Sequence, residues 1–116
     1  MPQPEQALTE VEITARLEAL KGWTFQNGAI RRVYGTDGWR GSMLVANAIA
    51  FICEAADHHA DLAVTWPKVE VVLSTHSASG VTEKDLEVAG LIEAQVLWQP
   101  GSGSALSGAP KPFVKP

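Results

Sequence analysis

Trp23-Thr-Phe-Gln-Asn-Gly-Ala-Ile-Arg-Arg-Val-Tyr34 decides the fold. Asn27-Gly28 is the dipeptide that best tolerates the positive φ angles of a tight hairpin turn, and strand-like runs rich in aromatic and β-branched residues flank it. The stretch reads as a β-hairpin. Leu62-Ala-Val-Thr-Trp66 and the run from Val69 to Thr75 repeat the pattern around a Pro67-Lys68 turn, where proline presets φ. They read as a second hairpin.

Helical patterns surround both hairpins. Thr9-Glu-Val-Glu12 is a capping box, in which Thr9 and Glu12 satisfy free backbone donors at a helix start. Val11, Ile13, Leu17 and Leu20 then supply an apolar stripe, and Gly22 stops it, so a first helix is expected from about Thr9 to Leu20. Asp37-Gly-Trp-Arg40 is expected to cap a second helix running through Met43, Leu44, Val45, Ala46, Ala48, Ile49, Ala50, Phe51 and Ile52. These are too many for one stripe, which calls for burial against the sheet on one side and another subunit on the other. Thr82-Glu-Lys-Asp85 repeats the capping logic and starts a third helix with Leu86, Ala89, Ile92 and Val96 inward. The order αββαββα predicts an α+β fold with antiparallel strands and the helices packed on one face of the sheet, not a parallel doubly wound sheet.

The 116 residues suit one domain, expected over 8–98 with a disordered N-terminus over 1–7. Residues 99–116 turn to Pro, Gly, Ser and Ala, and a disordered tail is expected there, with Phe113 as its one docking candidate. The net charge of −4 and the scattered basic residues do not favour a nucleic-acid backbone as partner. The N-terminus lacks a basic and apolar leader, and the run from Met43 to Ala56 is too short to span a bilayer, so no membrane contact and a cytoplasmic location are expected. Lone Cys53 sits in an apolar run and reads as a buried thiol.

All three histidines fall within 19 residues, at His58, His59 and His76. Histidine titrates near neutrality, so the cluster beside acids points to proton transfer, metal ligation or both. Glu54 precedes His58 by four residues, which puts both on one helical face if the helix persists that far, while His59 points about 100 degrees away. His76 ends a strand beside Ser77, Ala78, Ser79 and Gly80, the kind of place where a sheet edge meets a helix end. A zinc site is disfavoured: neighbouring histidines seldom reach one metal, and there is neither His-Glu-x-x-His nor a cysteine pair. A serine nucleophile beside His76 has Ser74, Ser77 and Ser79 to choose from but no Gly-x-Ser-x-Gly elbow. Of the four tryptophans, Trp23 and Trp66, at hairpin ends, are the candidates for stacking on a planar ligand.

The pattern Glu54-x-x-x-His58-His59, Trp66, Ser74-Thr75-His76, Gly80-Val-Thr and Asp85, with Gly22-Trp23 and Ile30-Arg-x-Val-Tyr34 before it, resembles the pterin-4a-carbinolamine dehydratases over about Leu8 to Val96. The resemblance implies a four-stranded antiparallel sheet with three helices on one side, and a homodimer or homotetramer. It implies loss of water from 4a-hydroxytetrahydropterin to give quinonoid dihydropterin, without metal or redox cofactor. His58 and His76 would be the acid-base pair, His59 would orient the pterin, and Glu54 would hold His58. Ala60, Thr75, Ser77 and Ala78, with Trp23 and Trp66, would surround the ring. Ala60 departs from the family's usual proline and is expected to loosen the histidine pair. The alternative implied by relatives of this fold is a non-catalytic assembly or dimerisation factor, for example for RuBisCO.

Overall fold

The computed structural model describes residues 6–115. Its elements follow the expected order: α1 (Glu10–Leu17), β1 (Thr24–Gln26), β2 (Ala29–Gly35), α2 (Trp39–Ala56), β3 (Asp61–Thr65), β4 (Lys68–Leu73), a one-turn 3-10 helix (His76–Ala78) and α3 (Glu83–Val96). The four strands form one antiparallel sheet in the order β1-β2-β4-β3. Residues 1–5 of the expected disordered N-terminus lie outside the described residues.

The turn chemistry acts as the sequence requires. Asn27 and Gly28 take φ 53° and 74°, the doubly left-handed turn that matches strand twist. Thr9 caps α1 through a complete capping box with Glu12, but the helix stops at Leu17 rather than Leu20, and Val11 is exposed while Ile13 is buried. The second hairpin turns at Trp66-Pro67 rather than Pro67-Lys68, because Thr65 pairs with Lys68. At the head of α2, Asp37 does not cap; the N-cap is Gly38 at φ 149°, with no side-chain hydrogen bond. A side chain there would meet strain at that φ and the Trp66 ring, which already stands 3.4 Å from where a Cβ would lie.

Pairing of Ile30 with Leu73, Tyr34 with Val69, and Val71 with Leu62 puts these side chains on one sheet face. The helices cover that face, and Ile13, Val45, Ile49, Leu86, Ala89 and Ile92 join those residues in a single core. The other face carries the Arg31–Glu70 ion pair at 2.6 Å. A second anchor lies inside the helical layer: Glu93 of α3 accepts from Trp23 Nε1 at 3.0 Å, Tyr34 Oη at 2.6 Å and Arg32 Nε at 3.1 Å. This knot fixes α3 against the first hairpin.

The second helix is less covered than its composition predicts. Val45, Ile49 and Cys53 are buried, whereas Met43, Leu44 and Phe51 stay exposed in the single chain. Residues 99–116, expected to be disordered, form no helix or regular strand in their described part, and their far end is held. Val114 bridges Thr36, Asp37 N donates to Phe113 O at 3.1 Å, and Lys115 N donates to Gly35 O at 2.9 Å. This end therefore continues the β2 edge where β1 is too short to reach.

Candidate active site

The local structure at the end of α2 determines what each histidine meets. Asp57 takes the left-handed conformation, φ 53° and ψ 43°, and His58 N donates back to Cys53 O at 3.1 Å, closing the helix in a Schellman turn. The helix thus ends at Ala56, and the expected Glu54–His58 pairing is not formed, since the i,i+4 geometry needs a helix that continues through residue 58. Instead, His59 Nε2 lies 2.9 Å from Glu54 Oε1, and His58 Nε2 lies 2.6 Å from Asp85 Oδ1.

The two pairs are unlike in their surroundings. The Asp85 side chain is 0% exposed and that of His58 13%, whereas those of Glu54 and His59 are 84% and 57% exposed. Water screens the second pair, so it holds His59 only weakly. The first pair is fixed from below. Asp85 is the N3 residue of the α3 capping box, and its Oδ2 accepts from Thr82 N at 2.9 Å and from Thr75 Oγ1 at 2.8 Å. Thr75 Oγ1 also lies 2.8 Å from Thr82 Oγ1, which accepts from Lys84 N at 3.2 Å. A helix cap and a histidine support share one carboxylate.

His76 reaches the same place by another route. Beyond β4, Thr75 and Gly80 form a bridge, with Thr75 N donating to Gly80 O at 2.8 Å, and the short 3-10 helix carrying His76 is the loop this bridge closes. His58, His59, Ala60, Thr75, His76 and Ser77 line one open cavity of about 430 Å³, together with Asp57, Asp61, Ser74 and Lys84. A cavity of about 350 Å³ at the other end of α3, walled by Trp98, Leu106, Phe113 and Val114 among others, has no ionisable side chain in its lining. The three histidines thus share the lining of one cavity, the arrangement that acid-base chemistry needs.

Several expected site residues stand elsewhere or act differently. Trp66 occupies the β3–β4 turn, at the opposite end of the hairpin from the cavity, where it covers Gly38. Trp23 is 4% exposed and committed to Glu93. Neither ring lines the cavity within one chain. Ala78 is half-buried in the 3-10 turn beside the cavity but does not line it. Thr75 lines it, yet its hydroxyl is buried and bonded to Asp85 and Thr82. Among the described residues, no group of three or more His, Cys, Asp or Glu side chains is arranged to hold a metal ion. Sequence reasoning placed Asp85 in the helix cap and in the family pattern but did not foresee its contact with His58.

The fold is of the α+β class, one four-stranded antiparallel sheet with three helices, and it carries three histidines on one cavity. A family model described as Pterin 4 alpha carbinolamine dehydratase matches residues 6–95, and the chain belongs to that family. It is 43% identical over 89 residues to a protein of Aquifex aeolicus named "Putative pterin-4-alpha-carbinolamine dehydratase", covering 77% of this chain and 90% of that protein. A Sulfolobus acidocaldarius protein of the same name is 39% identical over 82 residues, covering 71% of this chain and 90% of its own. The crystal structure of a transcriptional coactivator/pterin dehydratase from Brucella melitensis superposes with a TM-score of 0.73 at 33% identity, covering 77% of this chain and 97% of that one.

Proposed function

We propose that the chain is a dehydratase that converts 4a-hydroxytetrahydropterin to quinonoid dihydropterin by histidine acid-base catalysis. In this reaction the C4a–O bond breaks, N5 loses its proton, a C4a=N5 double bond forms, and the hydroxyl leaves as water after taking a proton. One acid and one base near neutral pH suffice. The observation that carries the reading is the convergence of His58, His59 and His76 on one cavity, with His58 seated on a buried carboxylate. His58 and His76 form the acid-base pair, and His59, with Glu54 behind it, orients the pterin. Ala60, Thr75 and Ser77 contribute the wall around the ring, with Ala78 supporting it from the 3-10 turn. No metal or redox cofactor takes part.

The test is a dehydratase assay above the spontaneous rate. His58→Ala and His76→Ala are each expected to lower kcat at least about 100-fold, the ordinary contribution of a positioned acid or base. A wild-type rate equal to the spontaneous one would sink the enzyme reading.

Exposed Met43, Leu44 and Phe51 on α2, with Leu91 of α3 also exposed, favour a homo-oligomer built through the helices. They also keep the second reading in play, an assembly or dimerisation factor that binds another protein, in line with the coactivator label of the Brucella structure. Activity in a monomeric chain with Phe51→Glu would separate the two uses of that surface.

A further inference from the structure

Among the described residues, Asp85 is the acceptor placed at a ring nitrogen of His58, and its own surroundings say which nitrogen holds the proton. The hydrogen bonds around it run in one direction. Thr75 has one hydroxyl hydrogen and Asp85 Oδ2 takes it, so in the Thr75–Thr82 contact Thr82 Oγ1 is the donor, while itself accepting from Lys84 N. Thr75 in turn donates to Asp85 Oδ2, which also takes the backbone N–H of Thr82. The chain of donors thus ends on the Asp85 carboxylate, which is fully enclosed, takes two donors at Oδ2 and meets the His58 ring at Oδ1. His58 Nε2, at 2.6 Å from Oδ1, completes this set as a donor.

We infer that Asp85 is a positioning residue that locks neutral His58 in the Nε2–H tautomer, so that Nδ1 is the atom through which His58 exchanges its proton with substrate. The constraint is stronger than a simple contact, because the carboxylate is itself immobilised by the start of α3 and by the strand end at Thr75. Rotation of the imidazole that would bring Nε2 to the cavity leaves the buried carboxylate without its partner, which is costly. His59 has no such constraint, since its acid is exposed. Asp85 thereby separates the adjacent histidines into one of fixed tautomer and one free to adapt.

The consequence for kcat rests on the dehydratase reading; the tautomer does not. In the full-length protein, 15N NMR of ring-labelled histidine at a pH where His58 is neutral is expected to show a pyrrole-type Nε2 and a pyridine-type Nδ1. The reverse assignment in the wild type overturns the inference outright. In Asp85→Asn the amide oxygen must still receive Thr82 N–H and the Thr75 hydroxyl, which turns the amide NH2 toward His58 Nε2. A donor there demands a lone pair on Nε2, so the variant is expected to switch to the Nδ1–H tautomer and lose the working lone pair. Its kcat is expected to fall by about 10²–10⁴-fold, the scale of losing a positioned base, with KM changed less than about threefold. Thr75→Val, which keeps the carboxylate, is expected to keep the wild-type tautomer. An Asp85→Asn protein that is folded, switched in tautomer and still at wild-type kcat overturns the catalytic consequence. A wild type of the expected tautomer but without dehydratase activity refutes the proposed reaction and leaves the tautomer assignment standing.

Discussion

Replacing Glu93 by alanine is expected to be the most damaging single change outside the apolar core. Its carboxylate serves three donors, and two of them cannot turn to water: Trp23 is 4% exposed and Tyr34 1%. Leaving a buried donor unsatisfied costs about 1–3 kcal/mol. Arg32, with its side chain 17% exposed and its guanidinium 4.4 Å from the Tyr34 ring centre, retains partial hydration and a cation–π contact, so its loss is the smaller one. The sum is about 3–5 kcal/mol, in the range for removing one partner of a buried pair. For a domain of this size that corresponds to a melting temperature lower by about 10–20 °C.

The same carboxylate imposes a sign on the acid limb of stability. Burial pushes the Glu93 carboxyl up, but hydrogen bonds from Arg32, Tyr34 and Trp23 and the charge of Arg32 outweigh it and hold the group below its ordinary value of 4.5. A carboxyl depressed in the folded state stabilises the fold above its unfolded value, and that contribution is lost as pH falls through the folded value. Wild type is therefore expected to weaken below about pH 4.5, and Glu93→Gln to show a flatter acid limb. Urea unfolding at matched protein concentration, at pH 7 and across pH 3–5, measures both effects. A Glu93→Ala protein within about 0.5 kcal/mol of wild type at pH 7 refutes the assignment of the knot as an anchor.

Thr75→Val removes a hydrogen bond to a carboxylate and strands the Thr82 hydroxyl, so a loss of about 1.5–3 kcal/mol in stability is expected with little change in KM; a large KM increase with unchanged stability indicates that the hydroxyl serves the ligand instead. Gly41→Ala places a Cβ 2.7 Å from Phe113 O, so the tail end is expected to be displaced and residues 99–111 to become more sensitive to limited proteolysis, with dehydratase activity unaffected; unchanged proteolysis contradicts the docking. Ala60→Pro is expected to sharpen the His59 ring signals in NMR while leaving those of His58 unmoved, and a shift confined to His58 contradicts the division between the two. Asn27→Ala, at a φ of 53°, is expected to cost about 1 kcal/mol in urea unfolding because alanine disfavours the left-handed region.

Most of the fold was legible because its signals are local. Asn27-Gly28 set the first turn, Thr9-x-x-Glu12 and Thr82-x-x-Asp85 set two helix starts, and period-two alternation set the faces of β4. The site was legible in composition and illegible in pairing. The stop of α2 at Ala56, two residues short of His58, redirects Glu54 from His58 to His59, and no glycine marks that stop, since Asp57 itself takes the left-handed turn. Asp85 was visible as a cap and as a member of the family pattern, but not as the partner of His58, because that pairing depends on α2 and α3 meeting end to end, a fact of packing rather than of spacing. The held end of the tail was hidden for a related reason. Phe113 and Val114 are too few to predict burial, but β1 spans only three residues and leaves the far edge of β2 open for them.

The same geometry answers the question raised by Ala60. Proline after the histidines would restrain the chain leaving the helix by limiting backbone freedom. In this chain the restraint on His58 comes from two other sources: its backbone closes the Schellman turn through Cys53 O, and its ring is tied to the start of α3 through Asp85. Ala60 also packs against the core and leads directly into β3 at Asp61. What a proline would have added therefore falls mainly on His59, whose partner among the described residues is the exposed Glu54. A histidine that orients a ligand tolerates such freedom better than one that must present a single nitrogen to a reacting atom, because binding energy can select its rotamer whereas a proton transfer needs the atom already in place.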